Sequence, residues 1–197
     1  MPGKKQKGQA FERQVCGALS NWVSGGKESN LFWRSSQSGG RATVLLRKGE
    51  RLSQHAGDIC AINPDGEPFA KVFFVEAKFL KTLRLDLLLY DDAGVIGPIW
   101  TKVCNQAHDH HKLPILIAKE NSKPVVVCLP TLLWNHIARG VRLTHNSTGM
   151  HLMLWTDFVE LRPDSLISYA AACVDRLGPV FSSTRMKPKR KRTRLVV

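Results

Sequence analysis

Two short apolar runs, each carrying charges that an apolar strand should avoid, constrain this chain more than any other feature. The first is Gly57-Asp58-Ile59-Cys60-Ala61-Ile62, and the second is Val72-Phe73-Phe74-Val75-Glu76-Ala77-Lys78. Both are rich in β-branched and aromatic residues. Asn63-Pro64-Asp65-Gly66 between them has turn composition, so the pair reads as two strands of a hairpin. Side chains alternate along a strand, which points Glu76 and Lys78 to one face. If Ile62 stands opposite Val72 in an antiparallel ladder, Cys60 faces Phe74 and Asp58 faces Glu76. The two carboxylates then meet at one end of the hairpin, with Lys78 just beyond. Close carboxylates repel unless a cation lies between them. A hard divalent ion with oxygen ligands is the simplest resolution, and Mg²⁺ is the expected one, with Mn²⁺ as its substitute.

The charge balance points to the partner. Lys and Arg number 29 against 16 Asp and Glu, a net charge of +13 on 197 residues. Such an excess suits a polyanion, most often nucleic acid. No apolar run approaches the ~20 residues of a membrane-spanning helix. The start, Met1-Pro2-Gly3-Lys4-Lys5, lacks the apolar segment of a signal peptide. Cys16, Cys60, Cys104, Cys128 and Cys173 are scattered and form no CxxC pair. They read as buried free thiols of a reduced, cytoplasmic protein.

Along the chain, residues 1–8 read as a flexible basic arm and 9–180 as one domain. A helix is expected from Gln9 to Val23, its buried stripe being Phe11, Val15, Ala18, Leu19 and Trp22. Glu12 beside that stripe suits the helix start electrostatically. Leu31–Arg34 reads as a strand, and Ser35–Arg41 as a Gly- and Ser-rich loop. Arg34 and Arg41 at that loop's edges are candidates for phosphate contact. Lys81 and Arg84 follow the acidic pair, where a phosphate backbone would run. Residues 79–98 are left open between a strand pair and a short helix, with Asp86, Asp91 and Asp92 as rival metal ligands. Ile99–Lys112 reads as a helix with Trp100, Val103, Cys104 and Ala107 on one face. His108, His110 and His111 at its end suit the helix dipole better than a zinc site.

Leu113–Lys119 and Pro124–Leu129 read as two central strands joined by a tight turn. A helix is expected from Thr131, its N-cap, to Arg139, with Gly140 as C′ residue. An edge strand is expected at His151–Trp155 and a helix at Asp164–Leu177. Residues 181–197 read as a disordered basic tail. From Arg185 to Arg194 it holds seven basic residues and no acid, and Lys189, Arg190, Lys191 and Arg192 are expected to bind phosphate non-specifically.

Asp58 followed by Glu76-Ala77-Lys78 resembles the PD-(D/E)XK nuclease signature, with Gly57 where the proline usually stands. The resemblance implies an α/β, restriction-endonuclease-like core, a central mixed sheet flanked by helices. It implies a Mg²⁺-dependent phosphodiesterase acting on DNA, with the carbonyl of Ala77 as an added metal ligand. Glu12 matches the acid that the first core helix of these nucleases often offers to the metal. Gln106 matches a glutamine on the helix after the ExK strand that contacts substrate or a metal-bound water. Ser36, with Arg34 and the paired glycines, is similar to a pattern of archaeal Holliday-junction resolvases. Leu129-Pro130 is similar to a step in phage and prophage members. Branched DNA, a homodimer and a bacterial or phage-infected cell are implied in turn. The rival expectation is a nucleic-acid-binding module that keeps the fold and does not cleave.

Overall fold

The computed structural model describes residues 4–35, 57–85, 87, 94–137, 143–145 and 148–177. Its elements run α1 (Lys4–Val23), β1 (Phe32–Arg34), β2 (Ile59–Ala61), α2 (Glu67–Val72), β3 (Phe73–Leu80), α3 (Ile96–Asp109), β4 (Leu113–Glu120), β5 (Val125–Pro130), α4 (Thr131–Ile137), β6 (Leu143–His145), β7 (Met150–Leu154), α5 (Trp155–Val159) and α6 (Pro163–Leu177). Five strands form a mixed sheet in the order β3-β4-β5-β7-β6, and β1 and β2 form a separate antiparallel ladder. The fold is α/β with a mixed central sheet between helices, as expected. No described helix is long and apolar enough to cross a membrane.

Alternation along β3 divides the core between the two faces of the sheet. Val75 and Ala77 join Ile115 and Ile117 in the cluster that buries Phe11, Val15 and Leu19 of α1. Phe74 joins Leu116 and Ala118 in the cluster that buries Trp100, Val103 and Ala107 of α3. Glu76 and Lys78 share the parity of Phe74, so they belong to the α3 face. Trp100 is fully buried and donates its indole N–H to the Thr148 carbonyl, 3.3 Å away.

The expected antiparallel hairpin does not form. Asn63 accepts from the Asp65 N–H at 3.0 Å and starts a 3₁₀ turn over Pro64–Gly66, and Pro68 then sits in the first turn of α2. A proline there loses no helical hydrogen bond, so the chain climbs a short helix instead of reversing. The two apolar runs therefore lie parallel, bridged at Gly57 and Val75, and Val72 belongs to α2. The partner of β2 is β1, in the register Trp33 opposite Cys60 and Arg34 opposite Ile59.

Other boundaries move as well. The first helix begins at Lys4, so residues 4–8, read as an arm, form its opening turns. The expected strands over Leu113–Lys119 and Pro124–Leu129 pair antiparallel, Ile117 opposite Val127. The expected edge strand, β7, lies inside the sheet between β5 and β6. Thr131 is the first residue of α4. Its hydroxyl donates to the Gly149 carbonyl at 3.3 Å and lies 3.0 Å from His151 Nε2. Lys112 is buried and donates to the Ala70 carbonyl at 2.6 Å, tying the end of α3 to α2. Burial pulls its pKa down to about 8.

Candidate active site

The parallel arrangement brings Asp58 to Glu76 by a different route from the one expected. Gly57 has φ +89°, and a Cβ added there would stand 2.5 Å from the Val75 carbonyl oxygen. Only glycine adopts that backbone at that distance, and proline, locked near φ −65°, cannot. The kink lets the Asp58 N–H donate to the Val75 carbonyl at 2.9 Å, while the Ser35 N–H donates to the Asp58 carbonyl at 2.9 Å. Asp58 is thus pinned between β1 and β3, and its Oδ2 accepts the Ala77 N–H at 3.0 Å.

Lys78 joins the two acids. Its Nζ lies 2.6 Å from Glu76 Oε1 and 3.3 Å from Asp58 Oδ2. Both carboxylates are more than nine-tenths buried, Asp58 at 5% and Glu76 at 7% exposure. Burial raises the pKa of Glu76, and the negative charge of Asp58 raises it further. Lys78 pulls it back, as does Lys102 of α3 to a smaller degree. Burial alone would lower the pKa of Lys78, but Asp58 and Glu76 outweigh it and hold the ammonium charged.

These residues fit a divalent cation. Two buried carboxylates already share one positive charge. Mg²⁺ takes one or two carboxylates and keeps several waters, so a third acid is not required. Among the described residues no group of three His, Cys, Asp or Glu side chains is placed to hold a metal ion. Glu12 pairs instead with Arg34, Oε2 to Nε at 2.5 Å. Its helix covers the Val75 and Ala77 face of β3, whereas Glu76 and Lys78 point to the other. Glu12 and Asp58 still lie close enough to act on one thiol. Cys16 is raised to about 12, chiefly by burial, then by Cys60 and by both acids, against the pull of Arg34. Ala77 meets Asp58 through its N–H.

Gln106 lies on α3 one turn beyond Lys102. Its Oε1 is buried and has no hydrogen-bond partner among the described residues. Lys102 was missed from the sequence, although its spacing of four from Gln106 puts both on one helix face. Lys81 and Arg84 follow β3 and are exposed, and Arg84 has φ +53°. His110 stacks on Phe74 at 5.8 Å, and burial, then Lys112, lowers its pKa. Ser36, Arg41, the insert 42–56, Asp86, Asp91, Asp92, Gly140 and the tail residues Lys189, Arg190, Lys191 and Arg192 lie outside the described residues.

Comparison with known proteins agrees with the geometry. The sequence model of the family described as "Phage putative PDDEXK endonuclease" matches residues 3–161. That span runs from α1 through α5 and includes Asp58, Glu76 and Lys78. No curated protein and no solved structure matches the chain. The mixed sheet with its flanking helices is a restriction-endonuclease-like core, and the chain belongs to this PDDEXK family of phage endonucleases.

Proposed function

We propose that the protein is a Mg²⁺-dependent DNA endonuclease whose reaction is carried by Asp58, Glu76 and Lys78. The convergence of these three side chains is the observation that supports the reading most strongly. A non-catalytic binder gains nothing from two carboxylates buried where phosphate would approach, because they repel it. Asp58 and Glu76 would hold the ion, and the Ala77 N–H keeps Asp58 turned toward Glu76. A bound Mg²⁺ supplies charge neutralisation at phosphorus and an activated water.

The side chains divide the remaining work. Lys78, held by both acids, orients the attacking water or meets the charge that develops on the phosphate oxygens. Gln106 Oε1, a buried acceptor without a partner among the described residues, takes a hydrogen bond from a water on the α3 face. Lys102, Lys81 and Arg84 attract the phosphate backbone. Arg34 holds Glu12 apart from the acidic pair. The likeness to resolvases favours branched DNA and a homodimer as the working form.

The test uses the full chain on linear duplex, single-stranded, flap and four-way-junction DNA. Cleavage is expected with Mg²⁺ or Mn²⁺, its complete loss with a chelator, and its return when the ion is restored. Preference for the flap or the junction supports the branched-substrate reading. Absence of cleavage on every form with either ion overturns the proposal.

A further inference from the structure

Trp33 stands exposed on β1, across the ladder from the run that follows Asp58, and no step of the proposed hydrolysis uses it. Of the five tryptophans, Trp22, Trp100 and Trp134 are buried and Trp155 is half-buried, whereas Trp33 is 54% exposed. The core therefore does not account for it. Phe32 and Arg34 turn inward from β1, Phe32 into the core and Arg34 to Glu12, so Trp33 between them turns the other way. The ladder register sets Trp33 opposite Cys60, and the Ile62 N–H continues the ladder by donating to the Leu31 carbonyl at 2.9 Å. Ile62, two residues beyond Cys60, shares the face of Trp33 as its diagonal neighbour, and it is 57% exposed. A flat aromatic ring and an aliphatic side chain thus form one outward apolar patch.

The position of the patch indicates its occupant. Asp58 lies two residues before Cys60 on the same strand run, about 7 Å along the ladder at ~3.3 Å per residue. That is about the span of one nucleotide. A partner reaching the acidic pair through its phosphate would bring an adjacent base to this patch. In a chain of net charge +13, the partner that carries both phosphate and a flat apolar ring is nucleic acid. A base inside a duplex hides its face in the stack, so the occupant must be unpaired.

We infer that Trp33, supported by Ile62, is a stacking platform for an unpaired nucleobase next to the scissile phosphate, which selects DNA with single-stranded character. The inference rests on the nuclease reading and adds a substrate class to it. It extends to the unpaired bases of flaps and strand ends.

The probe is a 12-nucleotide single-stranded DNA. The protein is the full chain carrying Asp58→Asn, kept in chelator, so that binding is read apart from cleavage. Titration is expected to quench tryptophan emission, and Trp33→Phe is expected to remove most of that quenching, because three of the other four indoles are buried and Trp155 is half-buried. Trp33→Ala is expected to weaken binding of the labelled oligonucleotide by about 5- to 150-fold. Trp33→Phe keeps a ring and is expected to lose less, and binding of a blunt duplex is expected to change less than twofold. Equal affinity of Trp33→Ala and its parent for the single strand overturns the inference, as does equal loss on the duplex. Emission of Trp33 that shifts with protein concentration alone also overturns it, by assigning the patch to a second copy of the chain. If the wild-type chain cleaves DNA while Trp33 is silent, only the inference fails. If it cleaves nothing, the nuclease reading fails whatever Trp33 does.

Discussion

Asp58→Asn protein is expected to cleave DNA on the order of 10³-fold more slowly than wild type while binding it as tightly or more tightly. A bound cation supplies several kcal/mol of transition-state stabilisation, and each ~1.4 kcal/mol is a factor of ten in rate. Asparagine keeps the shape of aspartate and one carbonyl oxygen, so the Ala77 N–H retains its acceptor and the local fold persists. What is lost is the anionic oxygen that a hard ion prefers. Removing a negative charge beside the phosphate also removes a repulsion, so affinity for DNA holds or rises. Single-turnover cleavage and filter binding on the same preparation separate the two effects. A variant that binds and cleaves like wild type shows that Asp58 takes no part.

Gly57→Ala is expected to be the most damaging single methyl group in the described chain. At φ +89° the backbone is strained for alanine, and the new Cβ would lie 2.5 Å from a backbone oxygen that is fixed in β3. A residue forced into such a region costs ~1–3 kcal/mol, and the clash adds to it, for a total of about 4 kcal/mol. For a domain of this size that lowers Tm by about 10 °C. Relief of the clash would shift Asp58 away from Val75, so cleavage is expected to fall as well. Gly17→Ala is the control. It lies inside α1 with open space around the added methyl, and it is expected to stabilise by about 0.5–1 kcal/mol. Thermal melts of the two variants should move in opposite directions. Equal and small shifts would contradict the backbone account of the Asp58 kink.

The central pair was legible in the sequence because burial leaves few reasons for Asp58, Glu76 and Lys78 to interrupt apolar runs. The parity of Glu76 and Lys78 followed from strand alternation alone, and it holds. The pairing geometry was not legible. The stretch Glu67–Val72 is too short to show helical periodicity, and its helix signal is a single proline at the start. A two-strand reading of the same residues satisfies local pattern equally well. Only the long-range contact of Gly57 with Val75 decides between them. The position of β7 inside the sheet depends on β6, a three-residue strand whose pattern carries little information.

The site shows the same division. Glu12 was legible as an acid on the first helix, but not its pairing with Arg34, which joins residues 22 apart through the packing of α1 on β1. Lys102 was invisible as a contributor because its effect on Glu76 exists only once α3 covers that face of β3. Gln106 was singled out by its place after the ExK strand, and the structure adds that its Oε1 is buried with no hydrogen-bond partner among the described residues. Trp33 read as an ordinary strand residue. Its exposure appears only when the partners of Phe32 and Arg34 are known.

Direct measurement of ion uptake tests the central claim, that Asp58 and Glu76 together grip one divalent cation. Electron paramagnetic resonance of free Mn²⁺, titrated into the protein without DNA, reports the ion that the protein removes from solution. Wild-type protein is expected to deplete the free signal saturably, and Glu76→Gln is expected to weaken that uptake at least about tenfold while keeping its affinity for DNA in a separate assay without metal. Uptake by Glu76→Gln equal to that of wild type, or none by either, would contradict the account.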